Sequence, residues 1–197
     1  IMSAFMASST PILLSTWSFG LRGHAAAWPV LEAGGSAIDA VVDACTAIEA
    51  DPEVDSVGYG GLPDRDGNVT LDACVMRSPA SCGSVCCLRH HLHAARIARD
   101  IMDSTPHVML VGEAADAYAD AVGEPREDLL SPAAAKAWES WKRDGTDVDQ
   151  VRDAGRPVDR GGGQLFDGER RWSGHDTIGT LALDAMGALA GACSTSG

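Results

Sequence analysis

The stretch Gly174-His175-Asp176-Thr177-Ile178-Gly179 lies between a glycine- and charge-rich segment and a short apolar run. That run, residues 180–183, is followed by the turn-forming residues 184–187 and by a second apolar run, residues 189–194. Two apolar runs joined by a short turn are typical of a β-hairpin. We therefore predict a hairpin whose first strand begins at Thr177, directly after the polar segment.

Thr177 has the chemistry of a self-activating nucleophile, provided that the bond to Asp176 is cut. A threonine hydroxyl is a weak nucleophile until a base lies beside it. Cleavage would free an α-amine on the same residue, with a pKa of about 8 that suits general base catalysis. The hydroxyl itself can attack the Asp176 carbonyl and form an ester that water then opens. As a bare tripeptide, His175-Asp176-Thr177 is equally compatible with an ordinary strand start.

The composition is that of a globular domain with an acidic surface. The chain has 197 residues, of which 45% are hydrophobic and 22% charged, enough for one domain with a sizeable core. Its net charge of -13 argues against nucleic acid and anionic membranes as partners. No apolar run approaches the ~20 residues that cross a bilayer, and we see no signal peptide at the N-terminus.

The remaining segments predict alternating strands and helices. The predicted strands are residues 11–19, 69–76, 83–88 and 108–111, and the predicted helices are residues 24–33, 36–51, 93–102, 113–122 and 132–143. Residues 144–173 are polar, glycine-rich and aperiodic, which indicates a mobile linker. This succession favours a layered α+β or α/β domain.

The cysteines and histidines suggest a zinc site that their spacing does not support. The six cysteines are Cys45, Cys74, Cys82, Cys86, Cys87 and Cys193. Most lie in apolar segments, so we expect buried free thiols. In common zinc sites two cysteines lie two to four residues apart and two histidines lie three to five residues apart. The adjacent Cys86 and Cys87, followed by His90, His91 and His93, do not match that pattern. In a regular strand Cys86 and Cys87 would also point to opposite faces.

We predict no cofactor and no metal. The loop Gly58-Tyr59-Gly60-Gly61 lacks the Lys-Ser/Thr pair of a phosphate-binding loop, so a tight structural loop is the better interpretation. Trp17 lies in a predicted strand, where an aromatic side chain is usually part of the core. A role in lining a pocket is the alternative for Trp17.

Several ordered motifs resemble the glycosylasparaginase (aspartylglucosaminidase) family of the N-terminal nucleophile hydrolases. They occur in the family's order along nearly the whole chain, apart from the linker. The matching stretches are Leu14-Ser-Thr-Trp-Ser-Phe-Gly20, Gly34-Gly-Ser-Ala-Ile-Asp-Ala40, Ser56-Val-Gly-Tyr-Gly-Gly61, Pro63-Asp-Arg-Asp-Gly67, Val69-Thr-Leu-Asp-Ala-Cys74, Thr105-Pro-His-Val-Met-Leu-Val-Gly112, His175-Asp-Thr-Ile-Gly179 and Gly191-Ala-Cys-Ser-Thr-Ser-Gly197. The related asparaginase/isoaspartyl peptidase branch opens instead with a His-Gly-Gly-Ala-Gly strand.

The resemblance implies an α+β fold, namely the four-layer αββα sandwich of the N-terminal nucleophile hydrolases. It implies one domain over residues 1–197 that cuts itself into an α-chain portion, residues 1–176, and a β-chain portion that begins at Thr177. The family pairs precursor units, so a homodimer that becomes α2β2 is expected. Relatives are periplasmic or lysosomal, and the sequence leaves the compartment open.

The resemblance also implies the activity and its residues. The substrate would be the amide that joins N-acetylglucosamine to the asparagine side chain, a small molecule. Thr177 would be the nucleophile with its own amine as base, and Thr195 would set its hydroxyl beside it. His175 and Asp176 would support self-cleavage, Trp17 would line the substrate pocket, and Ser56 would belong to a loop near the active site.

The family's β chain runs further than the residues after Thr177 in this sequence. We therefore expect the sandwich to be incomplete at the C-terminus, without the family's substrate-gripping Arg and Asp and its oxyanion-hole Thr-Gly pair. Ser194 stands where the family often has Thr. Two alternatives remain: an asparaginase or isoaspartyl peptidase of the same superfamily, and an inactive truncated fragment or non-catalytic binding protein.

Overall fold

A computed structural model describes residues 10–144 and 177–196. In chain order these residues form β1 (Ile12–Ser15), α1 (Gly20–Glu32), α2 (Ala37–Glu49), a short 3-10 helix (Gly58–Gly60), β2 (Leu71–Ser78), β3 (Ser81–Leu88), α3 (Ala94–Ser104), β4 (Met109–Val111), α4 (Glu113–Ala121), α5 (Pro132–Asp144), β5 (Ile178–Leu183) and β6 (Leu189–Ser196). The predicted helices and the terminal hairpin are confirmed, with ends that differ by a few residues. Within these two ranges, no helix has the length and apolarity that crossing a membrane requires.

The strands form one six-stranded sheet in the order β1-β5-β6-β2-β3-β4. The pairs are antiparallel except β3 with β4. The hairpin β5–β6 therefore lies in the middle of the sheet and joins the N-terminal strand to the β2–β3 hairpin. The mixed α+β class is thus established for the described residues, in a single sheet.

One face of the sheet is covered by helices. Helix α2 packs on β5 and β6, α3 packs on β2 and β3, and α1 packs on α2. The strands supply alternating buried residues to this face, as period-2 geometry requires. They include Leu71, Ala73, Val75, Ile178, Ala182, Ala190 and Ala192.

The intervening side chains of the same strands are exposed on the opposite face. Leu14 and Leu181, which are register partners, are 60% and 57% exposed. Leu189 and Met76 continue this apolar surface across the sheet. We call it the open face, and Cys74, Cys86 and Cys193 are only partly buried there. The expectation of buried thiols is therefore wrong for all but Cys45, because an apolar segment does not reveal that only one of its faces is covered.

The hairpin turn is fixed by Asp184. Its carboxylate accepts hydrogen bonds from the N–H groups of Met186 and Ala188, at 3.0 and 2.9 Å, and from Ala37 at the start of α2, at 3.1 Å. Burial alone would raise the pKa of Asp184, but these backbone donors hold it below its ordinary value. Gly187 completes the turn with a φ of 81°, which glycine adopts without strain. Asp184 thus joins the hairpin to the helix that covers it.

Two local predictions fail where tertiary structure intervenes. The strand predicted over residues 11–19 ends at Ser15, because Trp17 adopts a φ of 61° and turns the chain. The region of Cys86 and Cys87 is not a regular strand. There Leu71 pairs with Leu88 and Ala73 with Val85, so one residue of β2 faces two of β3 in a β-bulge.

Candidate active site

Thr177 lies immediately before β5, with its backbone held by the residues that follow β1. Its carbonyl oxygen accepts hydrogen bonds from Thr16 Oγ1 at 3.1 Å and from Trp17 Nε1 at 3.0 Å. The Thr177 residue itself is exposed. Two side chains distant in sequence therefore fix the backbone of an accessible hydroxyl residue.

Thr16 forms hydrogen bonds to the backbone of β5 at Gly179 as well as at Thr177. Its Oγ1 also accepts from the Gly179 N–H at 2.8 Å, and its own N–H donates to the Gly179 carbonyl at 2.9 Å. The hydroxyl thus bridges the backbone on either side of Ile178. We did not predict a role for Thr16, although its place beside Trp17 in a quoted motif was a usable signal.

Trp17 is a half-exposed residue, not a core residue. The residue is 44% exposed to solvent. Its φ of 61° is a backbone conformation that costs a non-glycine residue about 1 kcal/mol or more of conformational free energy. The turn brings the indole back to the Thr177 carbonyl. The core interpretation of Trp17 is therefore wrong, and its ring lies where it contacts the strand start of Thr177.

Thr195 lies on the neighbouring strand, opposite Thr177. The β5–β6 register ends at the pair Ile178 and Ser194, and one further step in an antiparallel ladder sets Thr177 against Thr195. Directly opposed residues have Cβ atoms about 5 Å apart. The two hydroxyl residues are consequently neighbours on the open face.

Ser56 lies at the end of β6, in the loop after α2. It is buried, and its carbonyl oxygen accepts from the Ser196 N–H at 3.0 Å and from Thr195 Oγ1 at 3.4 Å. The loop is seated by Gly58, where a Cβ would lie 2.0 Å from the Glu49 carbonyl oxygen. Ser56 therefore contacts Thr195 through its backbone.

Beneath this pair, on the covered face, lies the carboxyl group of Glu49. Glu49 is fully buried, and its Oε1 accepts from Ser194 Oγ at 2.6 Å and from the Ala95 N–H at 2.9 Å. Among the described residues its Oε2 has no hydrogen-bond partner. Burial raises the pKa of Glu49 to about 7, against the opposing effect of these donors. The strand that carries Thr195 thus rests on a carboxyl group that prefers its neutral form.

A second polar group supports β5 from the covered face. Ser15 Oγ lies 2.7 Å from His24 Nε2 and 3.5 Å from Thr180 Oγ1. Thr180 is buried, so these contacts satisfy a hydroxyl that would otherwise lie in the core. These contacts link β1, α1 and β5 at Thr180, which lies three residues after Thr177.

Thr177, Thr195, Trp17 and Ser56 are therefore brought to one end of the sheet, around the junction of β5 and β6. His175 and Asp176 lie outside the described residues, as does the linker predicted over residues 144–173 except for Asp144, which is the last residue of α5. Chemically, the end of the sheet offers an accessible hydroxyl on a rigid backbone, a second hydroxyl beside it and an indole ring.

The chain matches the model of a protein family described as asparaginase over residues 21–197. A relative from Elizabethkingia miricola, named N(4)-(beta-N-acetylglucosaminyl)-L-asparaginase, is 44% identical over 190 residues, which is 96% of this chain and 50% of the relative. The Mus musculus protein of the same name is 37% identical over 135 residues, 68% of this chain and 39% of that protein.

A plant protein is also similar. The Arabidopsis thaliana relative, whose name reads "Probable isoaspartyl peptidase/L-asparaginase 3", is 32% identical over 212 residues, which cover 95% of this chain and 59% of the relative. The chain thus spans about half the length of the curated relatives it matches.

Proposed function

Because the chain belongs to the asparaginase family, we propose that it carries the nucleophile of an amidohydrolase of the glycosylasparaginase type. The substrate is the amide between N-acetylglucosamine and the side chain of asparagine. The observation that carries this proposal is the position of Thr177, accessible at the start of β5 with its carbonyl oxygen held by Thr16 and Trp17. The names of the Elizabethkingia miricola and Mus musculus relatives support the choice of substrate.

The proposal begins with self-cleavage. Thr177 Oγ attacks the Asp176 carbonyl carbon, the peptide nitrogen leaves as the α-amine of Thr177, and an ester joins the two residues. Water then hydrolyses the ester and restores the hydroxyl. A fixed Thr177 carbonyl supports this step, because it limits the orientations of the attacking hydroxyl. His175 and Asp176 are proposed to assist the cleavage.

Hydrolysis of the substrate would use the same hydroxyl. The freed α-amine takes the proton from Thr177 Oγ as the oxygen attacks the side-chain amide carbon of the substrate. The glycosylamine leaves with a proton, and a β-aspartyl ester remains on Thr177. Water opens that ester and releases aspartate. Thr195 orients the Thr177 hydroxyl, Trp17 lines the sugar–amino acid pocket, and Ser56 supports Thr195 through its carbonyl.

The open face supports the four-layer sandwich as part of the same proposal. A sheet that exposes Leu14, Leu181 and Leu189 on one face is typically packed against a second layer. A second sheet with its own helices would cover this apolar surface. Pairing of two precursor units into an α2β2 assembly completes the proposed architecture.

The test is amide hydrolysis by the native gene product that contains residues 1–197. N-acetylglucosaminyl-asparagine is expected to be cleaved to aspartate, and Thr177→Ala is expected to lose at least about 10³-fold in kcat/KM because no other hydroxyl occupies that position. Thr177→Ser retains the hydroxyl and serves as the matched control. Equal activity of Thr177→Ala and the native protein would overturn the proposal, and absence of hydrolysis in both would support a non-catalytic protein.

The second candidate is an asparaginase or isoaspartyl peptidase, favoured by the name of the Arabidopsis thaliana relative. Assaying asparagine, a β-aspartyl dipeptide and the glycosylated asparagine side by side separates the two. The proposed function requires the highest kcat/KM on the glycosylated substrate, whereas a higher value on the dipeptide would favour the second candidate.

A further inference from the structure

The β-bulge in β3 gathers two adjacent cysteines on one side of the sheet. Asp72 of β2 lies between the pairs Leu71–Leu88 and Ala73–Val85, so it faces both Cys86 and Cys87. A bulge removes the strict alternation of side chains that a regular strand imposes. Our prediction that these two cysteines point to opposite faces is therefore wrong.

The three side chains are close enough to share one ion. Cys86 Sγ and Cys87 Sγ are 3.8 Å apart, and one ligand atom from each of Asp72, Cys86 and Cys87 lies within 4.8 Å of the others. Tetrahedral zinc with Zn–S bonds of ~2.3 Å separates two thiolate sulfurs by about 3.8 Å. The spacing of the sulfurs already equals the spacing that zinc requires.

The Asp72 carboxylate is also oriented. Its Oδ1 accepts a hydrogen bond from the Cys87 N–H at 2.7 Å, which fixes the group against the bulge. Hydrogen bonds of this kind orient the ligands of natural metal sites. The same backbone N–H belongs to a residue with a φ of 54°, so the bulge, the carboxylate and the two thiols form one unit.

We propose that Asp72, Cys86 and Cys87 form a zinc-binding site. Thiolate ligands select zinc over magnesium and calcium, and one carboxylate completes three anionic ligands. Cys87 is exposed, which leaves the fourth position to water. Zinc binds the thiolate form of cysteine, so each of the two thiols releases one proton for each zinc ion bound.

His91, which lies near the two cysteines in the sequence, is not among the proposed ligands. His91 is buried, with Nδ1 3.0 Å from the Pro125 carbonyl oxygen and Nε2 3.6 Å from Asp120 Oδ1. It is thus engaged away from the thiols. Asp72 is the register partner of Thr195 on β6, so the proposed site borders the candidate active site across one strand pair. The two cysteines lie further away, on β3, which three strand spacings of about 14 Å separate from β5. The zinc proposal rests on the geometry of Asp72, Cys86 and Cys87 rather than on the proposed hydrolase activity, and its tests measure metal binding directly.

Cobalt(II) is the first probe, applied to the reduced protein with its six thiols. We expect one equivalent to produce thiolate-to-cobalt charge-transfer absorption that zinc then abolishes. Cys86→Ser, Cys87→Ser and Asp72→Asn are each expected to weaken metal binding by at least about 10-fold. Asn retains the acceptor for the Cys87 N–H, so Asp72→Asn tests the charge while preserving the bulge.

Two controls separate this site from the other thiols. Cys82 lies on β3 and faces Met76, so Cys82→Ser is the matched control and should bind as the native protein does. Cys74 and Cys193 face each other across β2 and β6, so their double serine variant tests the rival pair. Loss of the charge-transfer band in that double variant, with the band retained in Cys86→Ser, would overturn the proposal.

A measurement on the unmodified sequence removes the dependence on folding of the variants. Zinc is expected to slow alkylation of Cys86 and Cys87 at least about 10-fold while Cys82 reacts at an unchanged rate, as read by peptide mass mapping. Equal alkylation of Cys86 and Cys87 with and without zinc would overturn the site.

Discussion

The same strands form both faces of the sheet, but one face is packed under helices and the other carries the accessible hydroxyl residues. On the covered face, residues such as Leu71 and Ile178 pack under α2 and α3, and the carboxyl group of Glu49 is enclosed with them. On the open face, Thr177 and Thr195 are accessible. A one-residue step along a strand moves a side chain from the packed core to the chemically available surface. Substitutions on the covered face should therefore act on stability, and those on the open face on chemistry.

Matched leucine substitutions test this division with the largest expected effect. Leu71 is fully buried and Leu181 is 57% exposed. Leu71→Ala should lower the free energy of unfolding by about 2–5 kcal/mol, through lost burial and the cavity it leaves. Leu181→Ala should cost less than about 1 kcal/mol. Urea denaturation of both variants gives the comparison, and similar losses would show that the open face is packed in solution.

Glu49 tests how the covered face responds to pH. Burial raises the pKa of Glu49 from its ordinary value of 4.5 to about 7 in the folded state, so between these values the folded state holds a proton that the unfolded state has released. Stability from this group is therefore full below pH 4.5 and falls as the pH rises to about 7, by about 3 kcal/mol in total.

Glu49→Gln should remove that decline, because the neutral amide keeps an acceptor for Ser194 and Ala95 without a charge. Urea midpoints of the native protein and the variant across this range provide the measurement. The stability of the variant relative to the native protein is expected to increase as the pH rises. Urea midpoints of the two proteins that change in parallel with pH would contradict the account of Glu49.

Thr16 holds the backbone at the start of β5 through its hydroxyl, and its substitution is expected to change stability less than that of Leu71 or Glu49. Thr16→Val removes the hydroxyl that bonds to Gly179 and Thr177 and should cost about 1 kcal/mol of unfolding free energy. Thr16→Ser retains both bonds and is the control. The proposed role predicts that Thr16→Val slows release of the Thr177 fragment although the protein stays folded, and an unchanged cleavage rate would leave Thr16 a purely structural residue.

Local sequence patterns predicted the elements that local interactions specify. The cap at Ser36, whose Oγ accepts from the Asp39 N–H at 3.3 Å, and the turn at Asp184 both lie where the sequence indicated, and the helices and hairpin around them are confirmed. Such features depend on neighbours within a few residues, so a single sequence contains their signals.

Features set by partner strands were not predictable in this way. The bulge at Cys86 and Cys87 arises because β3 pairs with β2 across Asp72, and the turn at Trp17 is held by contacts with Thr177. The exposure of Cys74 and Cys193 likewise depends on which face of the sheet the helices cover. At the candidate site, the motifs indicated Thr177 and Thr195, while the clamp formed by Thr16 became visible only in three dimensions.

The most direct test of the central claim is the mass of the protein after incubation. If Thr177 is a self-activating nucleophile, the gene product that contains these residues will split between Asp176 and Thr177. Mass spectrometry will then find a fragment with Thr177 at its N-terminus. Thr177→Ala is expected to remain one chain and Thr177→Ser to cleave. A native protein that stays intact under all conditions, or that cleaves at another bond, would contradict the account.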